Sequence, residues 1–164
     1  MKEIPSLVRY RSSGVCEITG VEQKKFGSET QDYYVLRPLR SPASTVFVPL
    51  GNEKLESAMQ PLLTREEIFL LVRDIPVCEA LNEENPRMRK DKLTALINEG
   101  DRQALIGLVC GVRAQRERLK DDGKKLRVSD EAAMKRAEAL LCEEFSVVLN
   151  IPPEQVEAYI NEHK

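Results

Sequence analysis

Tryptophan is absent, and histidine occurs once, as His163, next to the C-terminal residue. Imidazole-based acid–base chemistry and a histidine-rich metal site are therefore all but excluded. The four cysteines, Cys16, Cys78, Cys110 and Cys142, form no C-x-x-C pair, which argues against zinc. No apolar run approaches the ~18 residues of a membrane span. Met1-Lys2-Glu3-Ile4-Pro5 lacks the apolar stretch of a signal peptide, so a cytoplasmic protein is expected. No glycine-rich phosphate loop is present, since Gly100 and Gly123 read as isolated helix stops. Adjacent carboxylates (Glu83-Glu84, Asp121-Asp122, Glu143-Glu144) read as solvated helix ends. No enzyme activity, metal or other cofactor is implied.

What is present divides the 164 residues into two halves with different periods. Residues 1–63 hold four of the eight glycines and five of the nine prolines. Four runs rich in strand formers lie between turn signals: Leu7–Tyr10, Val15–Val21, Tyr33–Arg37 and Thr45–Pro49, with Leu62-Leu63 as a short last candidate. This spacing predicts a small antiparallel barrel or curled sheet. From Thr64 the apolar period becomes helical. Thr64-Arg65-Glu66-Glu67 has the form of a capping box, and Ile68, Leu71, Val72 and Ile75 follow as one stripe. A second helix is expected from about Glu79 to Asn98, stopped by Gly100, with Asp101 capping the third. The third helix is striped by Leu105, Leu108, Val109 and Val112. Ser129 is expected to cap a fourth, striped by Met134, Ala137, Leu141, Phe145 and Val148, before a short last helix carrying Val156 and Ile160. Gly107 and Gly111, one turn apart, imply close approach by a neighbouring helix. The fold class is α+β, with a β domain over 1–63 and an all-helical domain over 64–164.

The net charge of −2 conceals a regional imbalance. Residues 86–127 carry 12 basic and 6 acidic side chains, whereas 128–164 carry 3 and 8. The basic residues concentrate at Arg87, Arg89, Lys90 and Lys92, and again at Lys120, Lys124, Lys125 and Arg127, each group beside a predicted helix terminus. Such clusters suit a phosphate backbone, and the N–H groups near Ser129 can receive an anion. The plainer alternative is a solvated charged face.

The blocks Val8-Arg9-Tyr10, Gly14-Val15, Ile18 to Glu22, Gly27, Tyr33–Leu36 and Thr45–Pro49 follow one another in a distinctive order. Glu99-Gly100-Asp101, Lys124-Lys125-Leu126, Ser129-Asp130-Glu131 and the run from Ala137 through Ile151 continue it. Together they resemble the CarD-type bacterial transcription regulators over nearly all of the chain. The resemblance implies a Tudor/SH3-like N-terminal barrel that docks on the β subunit of RNA polymerase. It also implies a helical domain that contacts promoter DNA at the upstream edge of the transcription bubble, in a protein expected to be a monomer. Carried over by position, Lys24, Phe26 and Phe47 fall at the polymerase contact, and Arg87, Arg89 and Lys90 in the DNA-facing region. Family members usually have a tryptophan wedge just before that cluster. This chain has Leu81 to Pro86 there, which leaves Leu81 as the wedge-region candidate. Strand alternation leaves Phe47 either outward, with Val46 and Val48 inside, or the reverse. A polymerase-binding adaptor that does not touch DNA is the alternative function, and an RNA-binding barrel with Tyr33 or Tyr34 stacking a base is a third.

Overall fold

The computed structural model describes residues 6–164, so the five N-terminal residues read above for a signal segment lie outside the described residues. The chain divides into two units between Leu62 and Leu63.

The first unit is a five-stranded antiparallel sheet. Its strands are β1 (Ser6–Tyr10), β2 (Gly14–Phe26), β3 (Glu29–Pro38), β4 (Val46–Pro49) and β5 (Met59–Pro61), with a short helix α1 (Glu53–Ser57) before the last. The spatial order is β4-β3-β2-β1-β5. The two end strands are not paired with each other, so the expected barrel is an open sheet rather than a closed cylinder. The last strand forms at Met59–Pro61 and not at Leu62-Leu63, because Pro61, Gln60 and Met59 pair with Val8, Arg9 and Tyr10. One face buries Val8, Cys16, Ile18, Tyr34, Leu36, Val48 and Met59 as its core.

β2 and β3 form a long hairpin closed by two residues, with Phe26 opposite Glu29 and Gly27 at φ +64°. The positive φ is the reason for glycine at that turn. The ladder is interrupted once, between Ile18 and Gly20. Ile18 pairs with Leu36 on the core face, yet Gly20 pairs with Val35 on the opposite one. The intervening Thr19 is a bulge, and its Oγ1 donates to the Val35 carbonyl at 3.2 Å. Since side chains alternate with period two, one extra residue reverses the facing of everything after it.

The second unit is helical: α2 (Arg65–Arg73), α3 (Pro86–Glu99), α4 (Arg102–Asp121), α5 (Val128–Leu149) and α6 (Val156–His163). The Thr64 capping box forms with both of its hydrogen bonds, and Gly100 ends α3 in the left-handed region at φ +76°. Asp101 caps α4 by accepting from the Ala104 N–H. The helix expected from Glu79 is instead a 3₁₀ turn (Glu79–Asn82) followed by α3, whose start is capped by Asn85 with Pro86 in the first turn. α5 begins after Arg127, with no side-chain cap, so Ser129 lies inside the helix.

α4 buries Leu105, Leu108, Val109 and Val112 as its stripe predicts, and Ile106 and Gly107 as well. The wider burial follows from the segment joining α2 to α3. A Cβ on Gly107 would stand 2.8 Å from the Pro76 carbonyl oxygen, and one on Gly111 would stand 2.7 Å from Leu81 Cδ1. The close neighbour is thus an extended connection and a 3₁₀ turn, not another helix. Glu144 also departs from expectation. It is fully buried in the last two turns of α5, where it receives two bonds from Arg102 at 2.7 and 2.8 Å and one from the Leu63 N–H at 2.9 Å.

Candidate functional site

The first candidate surface is the sheet face opposite the core. Beyond the Thr19 bulge, Glu22, Lys24 and Phe26 point to that face, together with Tyr33 and Val35 of β3 and Phe47 of β4. Without the bulge, alternation from Ile18 would turn Lys24 and Phe26 into the core. Tyr33 occupies the centre of the group. Its ring meets Phe26 edge-on at 6.2 Å between centroids and Phe47 at 6.1 Å. The Lys24 ammonium sits 3.5 Å from the centroid of the Phe47 ring. A cation over an exposed aromatic face contributes about 0.5–1 kcal/mol.

The structure therefore gathers Lys24, Phe26 and Phe47 and adds Tyr33. Phe47 faces outward, with Val48 buried on the other side. Tyr34, not Tyr33, is the core tyrosine. Phe26 is the most open of the group, at 61 % exposure. The legible signal for this grouping was Gly20, since an isolated glycine inside a strand pattern marks a bulge. Aromatic surface beside a lysine, on a rigid sheet, is the composition of a protein-docking anchor. Among the described residues β4 also carries Phe47 on an edge of the sheet, paired with β3 on one side.

The second candidate surface is the basic part of the helical unit. Arg87 and Lys90 are exposed on the first turns of α3, and Lys124, Lys125 and Arg127 are exposed in the turn before α5. Arg89 is different. It is 5 % exposed, and its guanidinium lies flat against Asp130, with Nε to Oδ1 at 3.0 Å and Nη2 to Oδ2 at 2.7 Å. Its remaining donors reach the Leu81 carbonyl and the Gln115 side chain. Four of its five N–H donors are committed within the protein and the side chain is buried, so Arg89 lacks the open face that a phosphate contact uses; it ties α3, α4 and α5 together from inside.

Lys92 is also engaged, in a 2.8 Å ion pair with Glu83. That hydrogen bond holds the Glu83 carboxyl below its ordinary range. Leu81 is half-buried against the helical core, and it lies where Gly111 leaves room. To act as a wedge it would have to leave that seat. The apolar side chains that do stand out beside the basic groups are Met88 and Val128, the latter 84 % exposed. The Arg89–Asp130 pair joins the first turns of α3 and α5, which brings the two basic groups to the neighbourhood of one buried contact. Arg113 points elsewhere, towards Glu138 and Glu157 at 3.4 and 3.7 Å.

Among the described residues no three His, Cys, Asp or Glu side chains are grouped so as to hold a metal ion, and no helix is long and apolar enough to cross a membrane. No curated protein matches the chain. Residues 5–63 match the family model of the CarD-like/TRCF RID domain, the RNA polymerase-interacting domain, and the helices α2 to α6 lie outside that match. The open sheet with its outward aromatic group is therefore a CarD-like RNA polymerase-interacting domain, and that match supports a transcription-related role.

Proposed function

We propose that the protein docks on the β subunit of RNA polymerase through the outer sheet face and holds promoter DNA through its phosphates with the helical unit. The DNA contact lies near the upstream edge of the bubble and biases the stability of the open complex. The observation that carries the reading is the family match of the sheet, joined to the gathering of Lys24, Phe26, Tyr33 and Phe47 on one face of it. The edge position of β4 adds backbone groups with which a partner strand can pair.

Docking raises the effective concentration of the basic groups beside the DNA, so individually weak phosphate contacts suffice. Arg87, Lys90, Lys124, Lys125 and Arg127 supply these contacts. Arg89 and Asp130 hold the helices that carry them. Met88 and Val128 offer apolar surface to a sugar or base edge where Leu81 does not. The protein acts by binding and carries out no reaction of its own. A preference for melted over closed promoter of ~1–2 kcal/mol changes open-complex occupancy roughly 5- to 30-fold.

Phe47→Asp tests the docking arm. Affinity for the isolated β lobe should fall at least roughly tenfold, about 1.4 kcal/mol, in a protein whose circular dichroism is unchanged. Unaltered affinity would move the contact off this face. Reversing the charge of Arg87, Lys90, Lys124 and Lys125 tests the DNA arm through the open-complex lifetime with polymerase present.

A second reading, an adaptor that binds polymerase without DNA, is favoured by one observation: two of the basic residues, Arg89 and Lys92, are engaged within the protein. Salt separates the two readings. Phosphate contacts give promoter-complex binding a steep salt dependence, and the adaptor leaves it flat.

A further inference from the structure

α2 carries five consecutive apolar residues, Ile68, Phe69, Leu70, Leu71 and Val72. A surface helix needs an apolar stripe on one side only, and five in a row go round the whole circumference. Two of them must therefore face out. Ile68 and Val72 are fully buried and Leu71 packs against the core, so the surplus falls on Phe69 and Leu70. Phe69 has cover from within the unit: the His163 ring meets it edge-on at 5.8 Å, and Arg73 lies over it at 5.5 Å. Leu70 is 63 % exposed and is not part of the core packing.

Leu70 and Leu71 line a cleft of about 490 Å³ between α2 and the start of α4. The rim of the cleft is acidic. Glu67 and Asp74 stand at its two ends on α2, and Asp101 stands across from them. Glu67 and Asp101 each give one oxygen to a helix cap, which leaves the other oxygen and the charge available. The lining cation, Arg102, is held by the buried Glu144. Asp74 is the C-cap of α2, where the helix dipole disfavours a carboxylate, so its charge there does nothing for the helix itself.

Along α2 the order is acid, leucine, leucine, acid at positions i, i+3, i+4 and i+7, all on one face. The two carboxylates are thus about 10 Å apart along the axis. A helix bearing lysines at i and i+7 with leucines at i+3 and i+4 between them has the same spacing with the opposite sign. We propose that this cleft is a docking site for a basic amphipathic helix of a partner protein, distinct from the sheet face and from the basic groups of α3 and α5.

The probe is a labelled synthetic peptide of that pattern, titrated by anisotropy against the full chain. Leu70→Ser should weaken binding at least roughly tenfold, since it removes the apolar anchor. Asp74→Asn should weaken it about two- to fivefold and lessen the salt dependence. A peptide with glutamates in place of the lysines should not bind. The proposal is overturned if either variant binds as wild type does, or if the glutamate peptide binds equally well. It is also overturned if the wild type ignores the peptide while sedimentation shows self-association that Leu70→Ser abolishes. Affinity of Leu70→Ser for the polymerase β lobe should be unchanged, which keeps this test apart from that of the docking arm.

Discussion

Replacing Asp130 by alanine removes the carboxylate that receives two bonds from Arg89 and leaves a guanidinium buried without its counter-charge. The side chains of the pair are only 6 % and 1 % exposed, so water cannot take the place of the lost partner. Breaking a buried pair in this way costs about 3–5 kcal/mol. For a unit of this size, ~3 kcal/mol corresponds to a fall in Tm of roughly 12–24 °C. That is a large part of the ~5–15 kcal/mol that holds an ordinary domain folded. Far-ultraviolet circular dichroism during thermal and urea unfolding measures it.

The double variant Arg89→Met, Asp130→Leu supplies the discriminating result. With both charges gone and the volume filled, most of the lost stability should return. Because Arg89 makes no DNA contact in this reading, the refolded double variant should also keep its salt-dependent promoter binding. A loss below ~1 kcal/mol for Asp130→Ala would refute the buried-clamp argument. A double variant that is stable yet deficient in DNA binding would return Arg89 to the list of phosphate contacts.

The two glycines of α4 should respond differently to alanine. At Gly107 the new methyl meets a backbone carbonyl, and the overlap outweighs the ~1 kcal/mol gain in helix propensity, for a net loss of roughly 1–2 kcal/mol. At Gly111 it meets the flexible end of Leu81, so unfolding measurements should find Gly111→Ala close to neutral. Burial, helped by Glu138, pushes the Cys142 thiol up to about 11. Iodoacetamide should therefore label it near neutral pH about two orders of magnitude more slowly in the folded protein than in urea. Because the folded protein holds this proton more tightly than the unfolded chain does, the associated stability is complete below the ordinary thiol value of 9.0. It is lost as pH rises towards about 11, which alkaline unfolding titrations can follow.

Much of the local structure was legible because its causes are local. Thr64 and Glu67 sit close enough to bond each other, and Asp101 reaches the Ala104 N–H three residues on. The stripe Leu105, Leu108, Val109 and Val112 is a periodicity any reader of the chain can count. The helix starts at Pro86 and not at Glu79 because proline suits the first turn and Asn85 before it caps the Arg87 and Met88 N–H groups. Nothing local in the sequence joins Lys24, Phe26 and Phe47, which only the family resemblance groups. Their meeting required the register of three strands and the reversal at Thr19, which Gly20 only hinted at.

The sequence by itself determined the division into a strand-rich and a helical half, the caps at Thr64, Gly100 and Asp101 and the regional excess of positive charge, because neighbours along the chain set these. Which charges remain on the surface was decided by tertiary structure alone. Arg89 looks like Arg87 in the sequence, yet it is buried because Asp130 stands 41 positions away in the chain and beside it in space. Glu144 looks like a solvated carboxylate, yet it is buried because Arg102 and the Leu63 N–H, 42 and 81 positions away, converge on it. The physical reason is desolvation: an ionised group enters the interior only where its partners are already in place, and partners so distant in sequence are brought there by the fold.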